Sequence, residues 1–214
     1  MTRHAWFIAV GLVACVCLGS ALVYGRLPAR VPTHWNLRGD VDGYGPRVVA
    51  GFLMPAVLLG FLGLAAILPR ISPAAFKLDD FRATYGTIIV ILLAMLAFVQ
   101  VVTLMGAFGH QFNMTRVLTA GLLLGIGLMG NFLGRVRRNF FVGVRVPWTL
   151  ASERVWNETH RLAAYVTCAC GLTGATLAAA GFPLAGLGLI LPIVVVPIVF
   201  SLVRYKQLEA RGEV

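Results

Sequence analysis

Two polar stretches in a largely apolar chain carry side chains able to do chemistry. In residues 26–47, RLPARVPTHWNLRGDVDGYGPR, the side chains of His34, Asn36, Asp40 and Asp42 lie close in sequence. An imidazole and two carboxylates could hold a hard or borderline metal ion. The spacing matches no ligand pattern, so no metal is assigned. Asp and Asn side chains also cap their own turns, and a polar loop can equally be a recognition surface. Turn chemistry falls at Gly39-Asp40, Asp42-Gly43 and Gly45-Pro46, while Pro28 and Pro32 hold the preceding backbone extended.

The second stretch is residues 130–161, GNFLGRVRRNFFVGVRVPWTLASERVWNETHR. It carries Arg135, Arg137, Arg138, Arg145, Arg154 and Arg161, with Glu153, Glu158, Trp148, Trp156 and His160. Gly143 and Pro147 should break any helix, with Arg145 between them. Thr149 or Ser152 can then cap a short helix through Glu153, Trp156 and His160, which share one face. Arg154, Glu158 and Arg161 fall on another, with opposite charges adjacent. Glu153 and His160 are the acid and base that an enzymatic reading would use. No partnered nucleophile, metal-ligand spacing or phosphate-cradling glycine loop accompanies them. We therefore expect no enzyme, no catalytic residue and no cofactor. The plainer reading is a basic loop with interfacial tryptophans on the cytoplasmic side. There anionic lipid would attract Arg135, Arg137 and Arg138, each by about 1 kcal/mol.

The elements that position these stretches are set by composition. Hydrophobic residues make up 59% of the chain and charged residues 12%, with a mean hydropathy of +0.86. Soluble domains run near 25% charged, so the chain is an integral membrane protein. The net charge of +10 fits an excess of Lys and Arg on cytoplasmic loops better than a nucleic-acid partner. Spanning the hydrocarbon takes about 20 apolar residues. Six stretches qualify: about 5–25, 48–68, 84–106, 115–134, 161–181 and 184–203. The fold class is all-α and polytopic. Gln100 and Thr103 are its most polar mid-span residues. Of the 18 Lys and Arg residues, only Arg26, Arg30, Arg38, Arg47 and Arg116 fall on the side away from the N-terminus. The bias predicts both termini in the cytoplasm, with 26–47 outside and 135–160 inside. Arg3 and the run Leu12-Val13-Ala14-Cys15 resemble a lipoprotein signal, but the apolar run continues to Tyr24, so a retained span is expected. The pairs Cys15/Cys17 and Cys168/Cys170 lie inside apolar runs. Residues two apart on a helix point to different faces, so neither pair chelates a metal. Gly121/Gly125 and Gly130/Gly134 would allow close helix contact. Pro55, Pro192 and Pro197 should kink spans two and six.

Two segments carry a family resemblance. The outer P-x-H-W-N-x-x-G-D-x-D-G-Y, with Pro32, His34, Asn36, Gly39 and Asp40, resembles a bacterial domain of unknown function that commonly precedes the SdpI-type domain. The inner Gly130-Asn131, the run Asn139 to Leu150 (NFFVGVRVPWTL), and then Glu153, Trp156 and Thr159-His160-Arg161 resemble the SdpI family motif. Its carried-over positions are Asn131, Asn139, Gly143, Arg145, Pro147, Trp148, Thr149, Glu153, Trp156, His160 and Arg161. Arg138 stands where that motif has proline, and Ala163-Ala164 where it has glycine. The resemblance implies a two-span unit, residues 1–68, ahead of a four-span SdpI-like domain, residues 69–214. It also implies a multi-pass protein of the bacterial plasma membrane. Such a protein would give immunity to a secreted toxic peptide that acts on the bilayer. It could relay the toxin's presence to a cytoplasmic ArsR-type repressor. A small-molecule transporter is the alternative, though transporters usually place ionisable residues mid-membrane.

Overall fold

The structure is a computed structural model describing residues 1–214, the side chain of Ala75 apart. The chain runs α1 (Arg3–Tyr24), β1 (Arg30–Trp35), β2 (Val41–Pro46), α2 (Arg47–Ile71), α3 (Arg82–Ala107), α4 (Met114–Leu133), α5 (Pro147–Ala151), α6 (Glu153–Ala179), α7 (Pro183–Gly188) and α8 (Ile190–Glu209). Six helical segments are long and apolar enough to cross a bilayer: α1, α2, α3, α4, α6, and α7 with α8. The all-α polytopic class holds, with one small two-stranded sheet added.

Two boundaries differ from the sequence expectation. The fifth span begins at Glu153, because Ser152 caps α6 by accepting from the Val155 N–H. The expected short helix through Trp156 and His160 is therefore the first two turns of a 27-residue helix. The sixth span breaks at Leu189, between α7 and α8. Pro192 lacks the N–H that would have bonded the Gly188 carbonyl, so the helix restarts there. Pro55, Pro69 and Pro197 stay inside their helices.

The outer segment folds as an antiparallel hairpin, with Arg30 opposite Pro46 and Trp35 opposite Val41. Asp42-Gly43 and Gly45-Pro46, expected as turns, lie within β2. Their glycines serve close packing: a Cβ on Gly43 would lie 2.8 Å from the His34 Cβ, and one on Gly45 would lie 2.9 Å from Thr33. The turn itself is Asn36 to Asp40. Asn36 Oδ1 accepts from the Arg38 and Asp40 N–H groups, and Gly39 takes a φ of +90°.

The tightest helix contact is α4 on α6. A Cβ on Gly171 would lie 2.5 Å from the Gly127 Cα, and Gly130 meets Thr167 and Cys168. Of the two expected glycine pairs, Gly130/Gly134 lies on this contact: a Cβ on Gly134 would lie 3.8 Å from Ala164 of α6. Gly121 and Gly125 face Phe98 and Met95 of α3 instead. On the other side, α3 packs against α1 and α2, where the Tyr85 hydroxyl donates to the Ala65 carbonyl at 2.9 Å.

The bundle has two unlike ends. At one, Met1–Arg3 lie beside Pro69 and Arg70, and Asp79–Thr84 face Gly134–Arg137. Arg154 there pairs with Glu213 near the C-terminus. This is the basic end. At the other, Leu37 and Arg38 of the hairpin lie beside Asn113, Arg116 and the Gly181–Pro183 turn.

Candidate functional site

The basic end is built around a loop, residues 134–146, that folds back on the start of α6. Asn139 is fully buried and forms its first fastening. Its amide donates to the carbonyls of Arg137 and Val142, and its Oδ1 accepts from the N–H groups of Phe141 and Val142. One side chain thus satisfies four backbone groups of a segment that has no ladder of its own.

His160 forms the second. Its Nε2 accepts from the Val144 N–H at 3.0 Å, and its Nδ1 lies 2.8 Å from the Trp156 carbonyl. Those two partners require the neutral ring with hydrogen on Nδ1. Gly143 sits over the same ring with φ +113°, and a Cβ there would fall 2.1 Å from Nε2. Only glycine fits both the backbone and the space. Trp156 is fully buried and donates its indole N–H to the Val136 carbonyl at 2.7 Å.

The third fastening is α5. Pro147 opens this helix rather than breaking one, because a first-turn N–H needs no helical partner. Buried Thr149 accepts from the Val146 N–H and donates to the Val144 carbonyl at 2.8 Å. Thr149 does not cap α6. Trp148 donates its indole N–H to Ser201 on α8 at 2.6 Å. Arg138 donates to the carbonyls of Leu150 and Ala151, closing the C-terminal end of α5. Arg145 donates to the Phe140 carbonyl at 2.5 Å.

Three motif residues, Asn131, Glu153 and Arg161, lie apart from these fastenings. Asn131 and Glu153 are exposed. Glu153 forms no pair with His160, whose ring nitrogens are engaged inside the loop, so the acid–base dyad of the enzymatic reading is not assembled. Arg154 and Glu158 pair at 3.2 Å as their spacing predicts. Arg161 does not join them. It lines a cavity of about 670 Å³ with Asp79, Asp80, Arg135, Arg137 and Asn157. Glu158 pairs instead with Arg204 of α8. Arg204 and Ser201 escaped the sequence reading. A lone serine and a lone arginine at the end of an apolar span were the available signal.

At the hairpin end the polar residues form two separate pairs rather than one cluster. His34 meets Asp42 at 2.5 Å, and Asn36 meets Asp40 at 3.2 Å. Pro32 lies opposite Tyr44 in the register. Among the described residues no group of three His, Cys, Asp or Glu could hold a metal ion. The sequence reading missed what fastens the hairpin to the bundle. Asn113 donates to the Arg38 carbonyl at 2.7 Å, and Thr115 donates to the Asn36 carbonyl at 2.8 Å.

Six spans with a folded loop at one end and a hairpin at the other define a multi-pass plasma-membrane protein. Residues 135–205, which hold the loop, α5, α6 and most of α8, match the SdpI/YfhL protein family. Residues 11–59 match the domain of unknown function DUF1648. It is 27% identical over 175 residues to the immunity protein SdpI of Bacillus subtilis (strain 168), an alignment covering 79% of each chain. No solved structure matches it.

Proposed function

We propose that this protein gives its cell immunity to a membrane-active toxic peptide. The observation that carries this reading is the similarity to the immunity protein SdpI over 79% of both chains. The charge asymmetry supports placing both termini and the basic end in the cytoplasm and the hairpin outside. In that orientation the exposed hairpin tip meets the peptide, with residues 1–68 as the receiving unit. The four-span unit, residues 69–214, carries the loop that an ArsR-type repressor would dock on. Helix α4 joins the two, because Asn113 and Thr115 at its start hold the hairpin and its end runs into the folded loop. Binding acts by favouring one of two loop arrangements.

The test is survival. The chain is expressed in a sensitive host, which is challenged with a panel of membrane-active peptides. Protection against at least one peptide is expected, together with its loss in Arg145→Ala and Trp148→Ala at matched membrane levels. Unchanged survival across the panel would sink the proposal. The repressor relay is checked separately, by whether an ArsR-type partner moves to the membrane fraction when the peptide is added.

A further inference from the structure

A cavity of about 330 Å³ lies under the hairpin, walled by β1, α2, α3 and α4. Thr33, Trp35, Leu53, Gln100, Thr103 and Leu118 are among its lining residues. Gln100 is 1% exposed and lies seven residues, about 10 Å, from the end of α3. Both hydrogens of its amide are placed: Nε2 donates to Ser20 Oγ and to the Ala50 carbonyl, each at 2.9 Å. The Ala50 carbonyl can only accept, which fixes the amide's orientation. Gln100 Oε1 is then left without a donor among the described residues. A buried acceptor in this position carries a desolvation cost that a ligand's O–H or N–H removes on binding.

We propose that this cavity is a binding site for a small, neutral, mostly apolar group carrying one hydroxyl or N–H, whose donor seats on Gln100 Oε1. The size falls at the small end of ligand pockets. No Asp or Glu lines the wall, so an ammonium would lose its hydration without gaining a counter-charge. The apolar faces of Trp35, Leu53 and Leu118 suit an aromatic or alkyl body. The inference stands independently of the immunity reading, since it rests on one side chain and the space beside it.

The test uses the purified full chain in lipid nanodiscs and equilibrium dialysis against lipid-only nanodiscs. The probes are p-cresol and p-xylene, which has a methyl in place of the hydroxyl. After correction for lipid partition, the wild type should hold p-cresol about tenfold more tightly than p-xylene. Gln100→Leu should bring that ratio to about one. Leu118→Trp, which intrudes on the cavity and leaves the bonds of Gln100 in place, should weaken binding of both. The proposal is overturned by no binding above lipid alone, by the same ratio in wild type and Gln100→Leu, or by binding that Leu118→Trp leaves intact. A further arm identifies the source of the group. An apolar helical peptide with one tyrosine displaces p-cresol if the natural occupant is a peptide side chain, and leaves it bound if it is a free small molecule.

Discussion

The imidazole of His160 lies flat against the indole of Trp156, with ring centroids 3.9 Å apart and planes 18° apart. The two residues are one helical turn apart on α6, and both are buried. Each ring also serves the backbone of the loop. His160 holds Val144, and Trp156 holds Val136. The stack therefore fixes both ends of the loop segment from Val136 to Val144 to one helix face.

Replacing His160 with Phe keeps a stacking ring and removes the acceptor for the Val144 N–H. A buried N–H left without a partner costs about 1–3 kcal/mol. His160→Phe should lower stability in detergent by that amount. Hydrogen exchange should rise at Val144 before it rises on α6. Unchanged exchange at Val144 would mean that the bond does not hold the loop.

Gly143→Ala should be at least as damaging, because it combines a left-handed backbone with a methyl placed on the imidazole. Strain of this kind costs about 1–3 kcal/mol. The double variant Gly143→Ala with His160→Ala frees the space and should be less destabilised than the two single effects added together. Thermal unfolding of the four proteins of the cycle measures this, and strict additivity would contradict the contact.

Ser201→Ala removes the acceptor for the Trp148 indole N–H. The expected loss is about 0.5–1.5 kcal/mol. Because Trp148 sits on α5, protease cleavage within residues 134–152 should accelerate more than cleavage elsewhere. Uniform cleavage would place the bond outside the loop's support.

Gly171→Ala places a methyl against the backbone of Gly127. Overpacking of this kind costs about 1–3 kcal/mol. It should push α4 from α6, seen as faster labelling of Cys168, whose thiol donates to the Gly127 carbonyl. Gly188→Ala, which meets no atom within 4 Å, is the matched control and should leave labelling unchanged.

The spans were legible because hydropathy over 20 residues is set by the bilayer and not by packing. Helix α6 was read too short because its first two turns are polar. A helix that continues past the apolar slab leaves no hydropathy signal, and only the Ser152 cap marked its start. The hairpin was hidden for a related reason. Glycines at 43 and 45 read as turns, whereas they make room for His34 and Thr33 across the sheet. At the basic end, residue types pointed to the motif but not to its roles. The bond from Trp148 to Ser201 joins residues 53 apart, and nothing local in the sequence announces it. Arg138, a departure from the motif, has its own explanation in the two carbonyls it closes at the end of α5.

The two bonds that fasten the hairpin both end on main-chain carbonyls, those of Asn36 and Arg38. Every residue type offers the same carbonyl, so the fastening does not depend on which side chains stand at the tip. Leu37 is exposed, as is Arg38, and a change at either leaves both bonds available. The molecule can thus alter what its tip displays while the frame beneath stays fixed, much as a handle keeps its fitting when the blade is exchanged.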